Sequence, residues 1–171
     1  MKKSTEKKYL PQFVYGGIDG SVTTIAVVSG VMGASLSSSI VLILGFANLF
    51  ADGFSMAISN YLSTKSENDV EKHQHNAKRT AFVTFVSFML IGLIPLISFI
   101  AAAITKSDYL VQNQFLFSII LTGVALLIVG FLKGEVTKKH KFISSIETML
   151  IGGTAAVVAF LVGYLLKMIV G

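Results

Sequence analysis

Five stretches of this chain are long and apolar enough to cross a bilayer, roughly residues 12–34, 38–62, 80–104, 113–133 and 145–170. A helical span of the hydrocarbon core takes ~20 apolar residues. Inside lipid a segment must satisfy its own backbone polar groups, so each stretch is expected as a helix rather than an open strand. The chain is 53% hydrophobic and only 13% charged, about half the charge of an ordinary soluble domain. The links are short, so residues 1–171 read as a single integral membrane domain. The expected fold is all-α, a bundle of five transmembrane helices.

The basic residues alternate from end to end of that bundle. Lys2, Lys3, Lys7 and Lys8 precede the first stretch. Lys65, Lys72, Lys78 and Arg79 lie between the second and third, and Lys133, Lys138, Lys139 and Lys141 between the fourth and fifth. The opposite ends hold Lys106 and Lys167 alone, so the division is 12 against 2. Cytoplasmic loops carry such an excess, which places the amino terminus in the cytoplasm and the carboxyl terminus outside. The net charge of +5 therefore follows topology, and nucleic acid is not expected as a partner. The first stretch is too long for a signal peptide, carries Asp19 and lacks a clear small-residue cleavage site, so it reads as a retained span. The chain has no cysteine, which excludes disulfides, thiolate metal sites and cysteine nucleophiles.

Two carboxylates break the apolar pattern. Asp19 lies in FVYGGIDGSVTTIAVVSGVMG and Asp52 in IVLILGFANLFADGFSMAISNYLS. An acid at membrane depth costs several kcal/mol, on the order of 3 on insertion scales, and such groups usually line an ion or proton path. In the second span Asn48, Asp52, Met56 and Asn60 recur every four residues and form one slanting stripe. Beside it runs a stripe of small residues, Ala47, Ala51, Ser55 and Ser59, which permits close helix contact. From the helical rise, Asp19 lies ~10 Å inside the cytoplasmic boundary, Met56 ~9 Å and Asp52 ~15 Å. An antiparallel pair thus brings the three into one layer. Two carboxylates balance a divalent cation, Asn48 adds an amide oxygen, and the Met56 thioether is a soft ligand that Fe²⁺ tolerates better than Mg²⁺ or Ca²⁺ does. The competing reading makes Asp19 a structural group bonded to Thr23 or a neighbouring helix, and Met56 simple packing.

The same two acids suggest coupling to protons. Burial and mutual repulsion disfavour two charged carboxylates in a low-dielectric layer, so without metal at least one of Asp19 and Asp52 is expected to hold a proton near neutral pH. Metal ligands must be deprotonated, so the cation binds as that proton leaves.

The second helix is expected to continue past Leu62 into STKSENDVEKHQHNAKRT. There Glu67, Glu71 and His75 are spaced four apart, and Asp69 stands four before His73. Carboxylate and imidazole on one helical face could capture a metal; a solvated helix end with Glu–Lys pairing is the simpler and favoured reading. Pro95 is expected to kink the third span. Gly16 with Gly20, and the row Ala155, Ala159 and Gly163, offer close helix contacts. Glu135 and Glu147 read as interfacial, and His140 is assigned no role. No catalytic set shares a common depth, and no zinc-type histidine spacing or phosphate loop is present. Paired aspartates also serve intramembrane proteolysis, but that needs a water-filled cleft and usually a larger bundle. The chain is not expected to be an enzyme.

These residues resemble the vacuolar iron transporter family. The likeness rests on Asp19-Gly20 followed by VTTIAVVSGVMGAS, on GFANLFADGFSMAISNYLST with its Ser55-Met56 and Tyr61-Leu62-Ser63, and on LIGGTAAVVAFLVGYLL near the carboxyl end. The resemblance implies five helices, a dimer, and export of Fe²⁺, often also Mn²⁺, from the cytosol into a vacuole or out of the cell by proton antiport. It implies a pathway near the dimer interface lined by the first two helices, with Asp19 matching the family's metal-binding acid and Met56 its methionine. The chain departs from the pattern in three places. Asn48 stands where plant iron transporters carry a glutamate, Ser59-Asn60 replace a common Gly-Glu pair, and the link between the second and third spans is only about eighteen residues on the span boundaries. Asp52 occupies a variable position and offers an acid in compensation.

Taken together, the expected function is transport of a divalent transition metal, Fe²⁺ or Mn²⁺, as substrate, out of the cytosol and in exchange for protons. No resident cofactor is expected. The expected partners are membrane lipid, the metal ion and a second copy of the chain, since five helices leave a polar groove that one protomer cannot easily seal. The plasma membrane is the default location and a vacuolar membrane the alternative. A non-transporting metal-sensing or scaffolding subunit is the alternative function.

Overall fold

The computed structural model describes residues 2–71 and 75–170, with side chains for 8–70 and 75–170. Six α-helices follow one another among these residues: α1 (Lys2–Gly33), α2 (Ser38–Glu71), α3 (Ala77–Gly92), α4 (Ile97–Thr105), α5 (Asp108–Thr137) and α6 (Lys141–Val170), with a 3₁₀ turn at Ile94–Leu96. Together α3, the 3₁₀ turn and α4 make one pass. The described residues thus hold five segments long and apolar enough to span a membrane: Lys8–Gly33, Ser38–Val70, Ala77–Thr105, Asp108–Thr137 and Lys141–Val170. This is an all-helical, multi-pass membrane protein. Each helix outruns the apolar stretch that announces it, because polar residues at its ends continue the backbone ladder beyond the hydrocarbon layer.

Pro95 does more than bend the third pass. The α-helix stops at Gly92, and a single 3₁₀ turn carries Pro95 near its start before α4 begins. Proline has no N–H to donate and its ring crowds the preceding turn. The ladder tightens here: the Leu96 N–H reaches only to the Leu93 carbonyl, at 3.0 Å. The break is tied from outside, since Ser118 Oγ on α5 donates to the Pro95 carbonyl at 2.6 Å.

The first helix is the axis of the bundle and packs against α3, α6, α5 and α2. Its glycines divide the work. Gly16 and Gly20 meet Thr84, Ser87 and Phe88 on α3, and Gly33 meets the Phe160 backbone on α6. A Cβ at Gly20 would fall 2.5 Å from the Phe88 carbonyl oxygen, and one at Gly163 would collide with the Gly30 carbonyl. Without a hydrophobic drive between helices in lipid, such close backbone contact is a main source of association. Ile25, Val28, Val31, Val41, Leu96 and Phe99 form a buried apolar cluster. Large apolar residues on α5 and α6, Leu161 and Leu165 among them, are exposed and suit a lipid environment. Glu147 pairs with Lys133 at 3.2 Å and Glu135 pairs with Lys141, so both acids at that end serve the α5–α6 hairpin.

Candidate metal centre

The third pass lies between α1 and α2 and fixes their relative height. Phe88 is fully buried. Its backbone lies against Gly20 of α1, and its ring lies against Gly53 of α2, where a Cβ would come 3.1 Å from Phe88 Cδ1. One turn further on, Gly92 meets both Leu49 and the Gly20 carbonyl. Asp19 immediately precedes Gly20, and Asp52 immediately precedes Gly53. The two acids therefore stand at about the same level on neighbouring helices, each next in sequence to a glycine that packs on Phe88.

Both aspartates are half-buried, and their carboxylates lie within electrostatic reach of each other. Thr23 Oγ1 donates at 2.8 Å to the backbone carbonyl of Asp19, as a threonine within a helix commonly does, and leaves the carboxylate untouched. Among the described residues no hydrogen bond or ion pair falls on either carboxylate. The bond that a structural reading of Asp19 places on Thr23 is thus present, but to the Asp19 backbone.

Met56 is half-buried one turn from Asp52 toward the charged end of α2, and Asn48 is half-buried one turn the other way. The Asn48 Nδ2 is buried without a hydrogen-bond partner. Asn60, the fourth member of the stripe, behaves differently: its Nδ2 donates to Thr84 Oγ1 on α3 at 2.6 Å. The structure adds Gln12, whose Oε1 is buried and unpartnered. Gln12 precedes Asp19 by seven residues, two turns, and so shares its face. That spacing was available in the sequence, where Gln12 reads only as the edge of the span.

Carboxylate and amide oxygens with one thioether make a donor set suited to a borderline divalent cation. Among the described residues no three of His, Asp and Glu gather at one point, so one chain brings two carboxylates to this level. A 440 Å³ cavity between α1, α5 and α6 and a 650 Å³ cavity between α1, α2 and α6 are lined almost wholly by apolar residues, and neither includes Asp19 or Asp52. The small-residue stripe Ala47, Ala51, Ser55 and Ser59 is exposed on α2. Its serines make no hydrogen bond to another helix among the described residues.

At the charged end α2 does continue to Glu71. Ser63 Oγ donates to Glu67 Oε1 at 3.0 Å. Asn68 holds His75: its Nδ2 donates to the His75 carbonyl at 2.7 Å and its Oδ1 accepts from the His75 N–H at 2.9 Å. His75 consequently lies off the helix, and the spacing of Glu67, Glu71 and His75 does not become one helical face. The Glu71 side chain and residues 72–74, including His73, lie outside the described residues.

A sequence profile of the VIT family matches residues 10–80 and 73–164. The chain belongs to the VIT family. Similar curated proteins include a vacuolar iron transporter of Toxoplasma gondii, 27% identical over 98% of this chain and 78% of its own length. A vacuolar iron transporter 1 of Eucalyptus grandis is 26% identical over 91% of this chain and 86% of its own length. A vacuolar iron transporter homolog 4 of Arabidopsis thaliana is 30% identical over 90% and 81%. The two parts of the VIT-family match meet at residues 73–80, the link between α2 and α3. The alignment to the Toxoplasma protein runs over 234 positions against 171 residues in the chain, so that relative carries residues this VIT-family chain lacks.

Proposed function

We propose that this protein carries Fe²⁺ or Mn²⁺ across a membrane, out of the cytosol and in exchange for protons. The observation that carries the reading is the pair Asp19 and Asp52, level with each other in an apolar layer and held by no hydrogen bond or ion pair among the described residues. Two such carboxylates have two kinds of cation to compete for. A divalent ion satisfies both at once, and protons from an acidic far side displace it and return on the empty carrier. Met56 contributes a soft ligand and Asn48 an amide oxygen, a set that favours transition metals over Mg²⁺ or Ca²⁺. The curated relatives named as iron transporters support iron as a substrate.

The working unit in this reading is a homodimer. One chain brings two acids, and the exposed stripe Ala47, Ala51, Ser55 and Ser59 on α2 is narrow enough to admit a second copy at short range. The paired chains would enclose the path between their α1 and α2 helices. The excess of lysine and arginine at one end orients the amino terminus toward the cytoplasm. The relatives' names favour a vacuolar-type membrane over the plasma membrane expected from the sequence.

Cells challenged with toxic iron or manganese test the reading. An exporter protects them, and its Asp19→Asn variant, expressed at the same level, does not. A sensing or scaffolding subunit without transport leaves survival unchanged in both.

A further inference from the structure

We propose that Phe88 is the positioning residue of this site: it sets the separation of Asp19 and Asp52 and thereby the ranking of divalent metals. The inference rests on the metal-transport reading above. No hydrogen bond or ion pair among the described residues holds either carboxylate, so their separation follows from helix packing. At their level Phe88 touches both helices, and Gly92 one turn on does the same through Leu49 and the Gly20 carbonyl but offers no side chain to adjust. Gly20 abuts the Phe88 backbone, with the Phe88 carbonyl oxygen 2.5 Å and Cα 3.1 Å from where a Cβ would stand. Gly53 abuts the ring, at 3.1 Å from Cδ1 by the same measure. Phe85 and Met89 complete the wall against Gly53, whereas the three atoms nearest a Cβ at Gly20 all belong to Phe88.

The two contacts differ in kind, which gives Phe88 its leverage. The α1 side rests on backbone, which a side-chain substitution leaves in place. The α2 side rests on the aromatic ring, which a substitution removes. Shortening Phe88 therefore shifts α2, and with it Asp52, while Asp19 keeps its place against the α3 backbone. Discrimination between cations of like charge depends on cavity size, ligand number and rigidity. Fe²⁺ and Mn²⁺ differ in size, so a change in carboxylate spacing alters their relative affinity and not only the overall rate.

Gly53 offers the same adjustment from the opposite side. An added methyl stands 3.1 Å from Phe88 Cδ1, tight enough that ring and helix must part by a few tenths of an ångström; where α2 yields, Asp52 moves outward with the aromatic core intact. Phe88→Leu and Gly53→Ala are thus expected to shift metal preference in opposite directions.

The test is transport by purified protein in liposomes, with KM and maximal rate measured separately for Fe²⁺ and Mn²⁺, and thermal unfolding followed in parallel. The expected result is a change of about threefold or more in the ratio of the two KM values for Phe88→Leu, an opposite change for Gly53→Ala, and the original ratio for Phe88→Tyr, which keeps the ring. A structural role alone lowers the melting temperature or the maximal rate and leaves the ratio fixed. An unchanged ratio in both Phe88→Leu and Gly53→Ala overturns the proposal. If Phe88→Leu does not fold, Gly53→Ala decides by itself, because it removes no buried atom. Asp19→Asn serves as the control. Transport that survives Asp19→Asn overturns the metal-site reading, whereas transport lost in Asp19→Asn with a fixed ratio in the other variants overturns only the role of Phe88.

Discussion

Asn60 donates a 2.6 Å hydrogen bond to Thr84, joining α2 to α3, while Thr84 Oγ1 itself donates to the Thr80 carbonyl at 3.0 Å. The bond separates Asn60 from Asn48, Asp52 and Met56, with which it shares a stripe. Asn60→Ala is expected to lower stability by about 1 kcal/mol, within the range for interhelical hydrogen bonds in membranes, and to leave the metal KM nearly unchanged. Detergent-phase unfolding and liposome transport check the two halves. A large rise in KM with stability intact would make Asn60 a ligand instead.

Glycines at different positions should respond in opposite ways. Gly20→Val drives a side chain into the Phe88 carbonyl and is expected to leave little folded protein. Gly123 and Gly153 have nothing within 4 Å of an added Cβ and line the 440 Å³ cavity. Alanine there is expected to preserve or raise the melting temperature, since glycine in a helix costs up to about 1 kcal/mol against alanine. Normal folding of Gly20→Val would contradict the close approach of α1 to α3.

The α2 surface gives a prediction about assembly. Ala47 and Ala51 are exposed, and the chain has no cysteine of its own. Single cysteines at these positions are expected to trap covalent dimers under mild oxidation. A monomer that transports at the full rate would contradict the dimeric pathway.

The five passes were legible in the sequence because a lipid-spanning helix needs an unbroken apolar run, and that signal is strong. The helical rise and an antiparallel turn place Asp19 and Asp52 in one layer, ~10 and ~15 Å deep; the packing of Gly20 and Gly53 on Phe88 is what sets them side by side. Two things were not legible. The residue that sets their height, Phe88, is one of thirteen phenylalanines, and nothing in FVTFVSFML marks it; its position depends on which glycines face it. The place of His75 was also hidden, because the four-residue spacing of Glu67, Glu71 and His75 suggests one helix face, whereas His75 is non-helical and bonded to Asn68. Periodicity reports what a helix would display, not where the helix stops.

For the same reason the polar link is expected to matter little to transport. Glu67 already accepts from Ser63, and His75 is off the helix. Replacing Glu67, Glu71 and His75 together with glutamine is expected to change the metal KM by less than about twofold, as for solvated charge at a helix end. A large loss of apparent affinity in liposomes would show instead that they load the pathway.

Metal flux in liposomes containing only the purified protein, with and without an imposed pH gradient, is the most direct test of the paired carboxylates. Wild-type flux is expected to accelerate when the receiving compartment is acidic. Asp52→Asn should weaken metal affinity and blunt that response. Asp19→Asn keeps the shape of the side chain but loses its charge and its proton, and flux should stop. Full flux that still responds to the pH gradient in the Asp19→Asn protein would contradict the site.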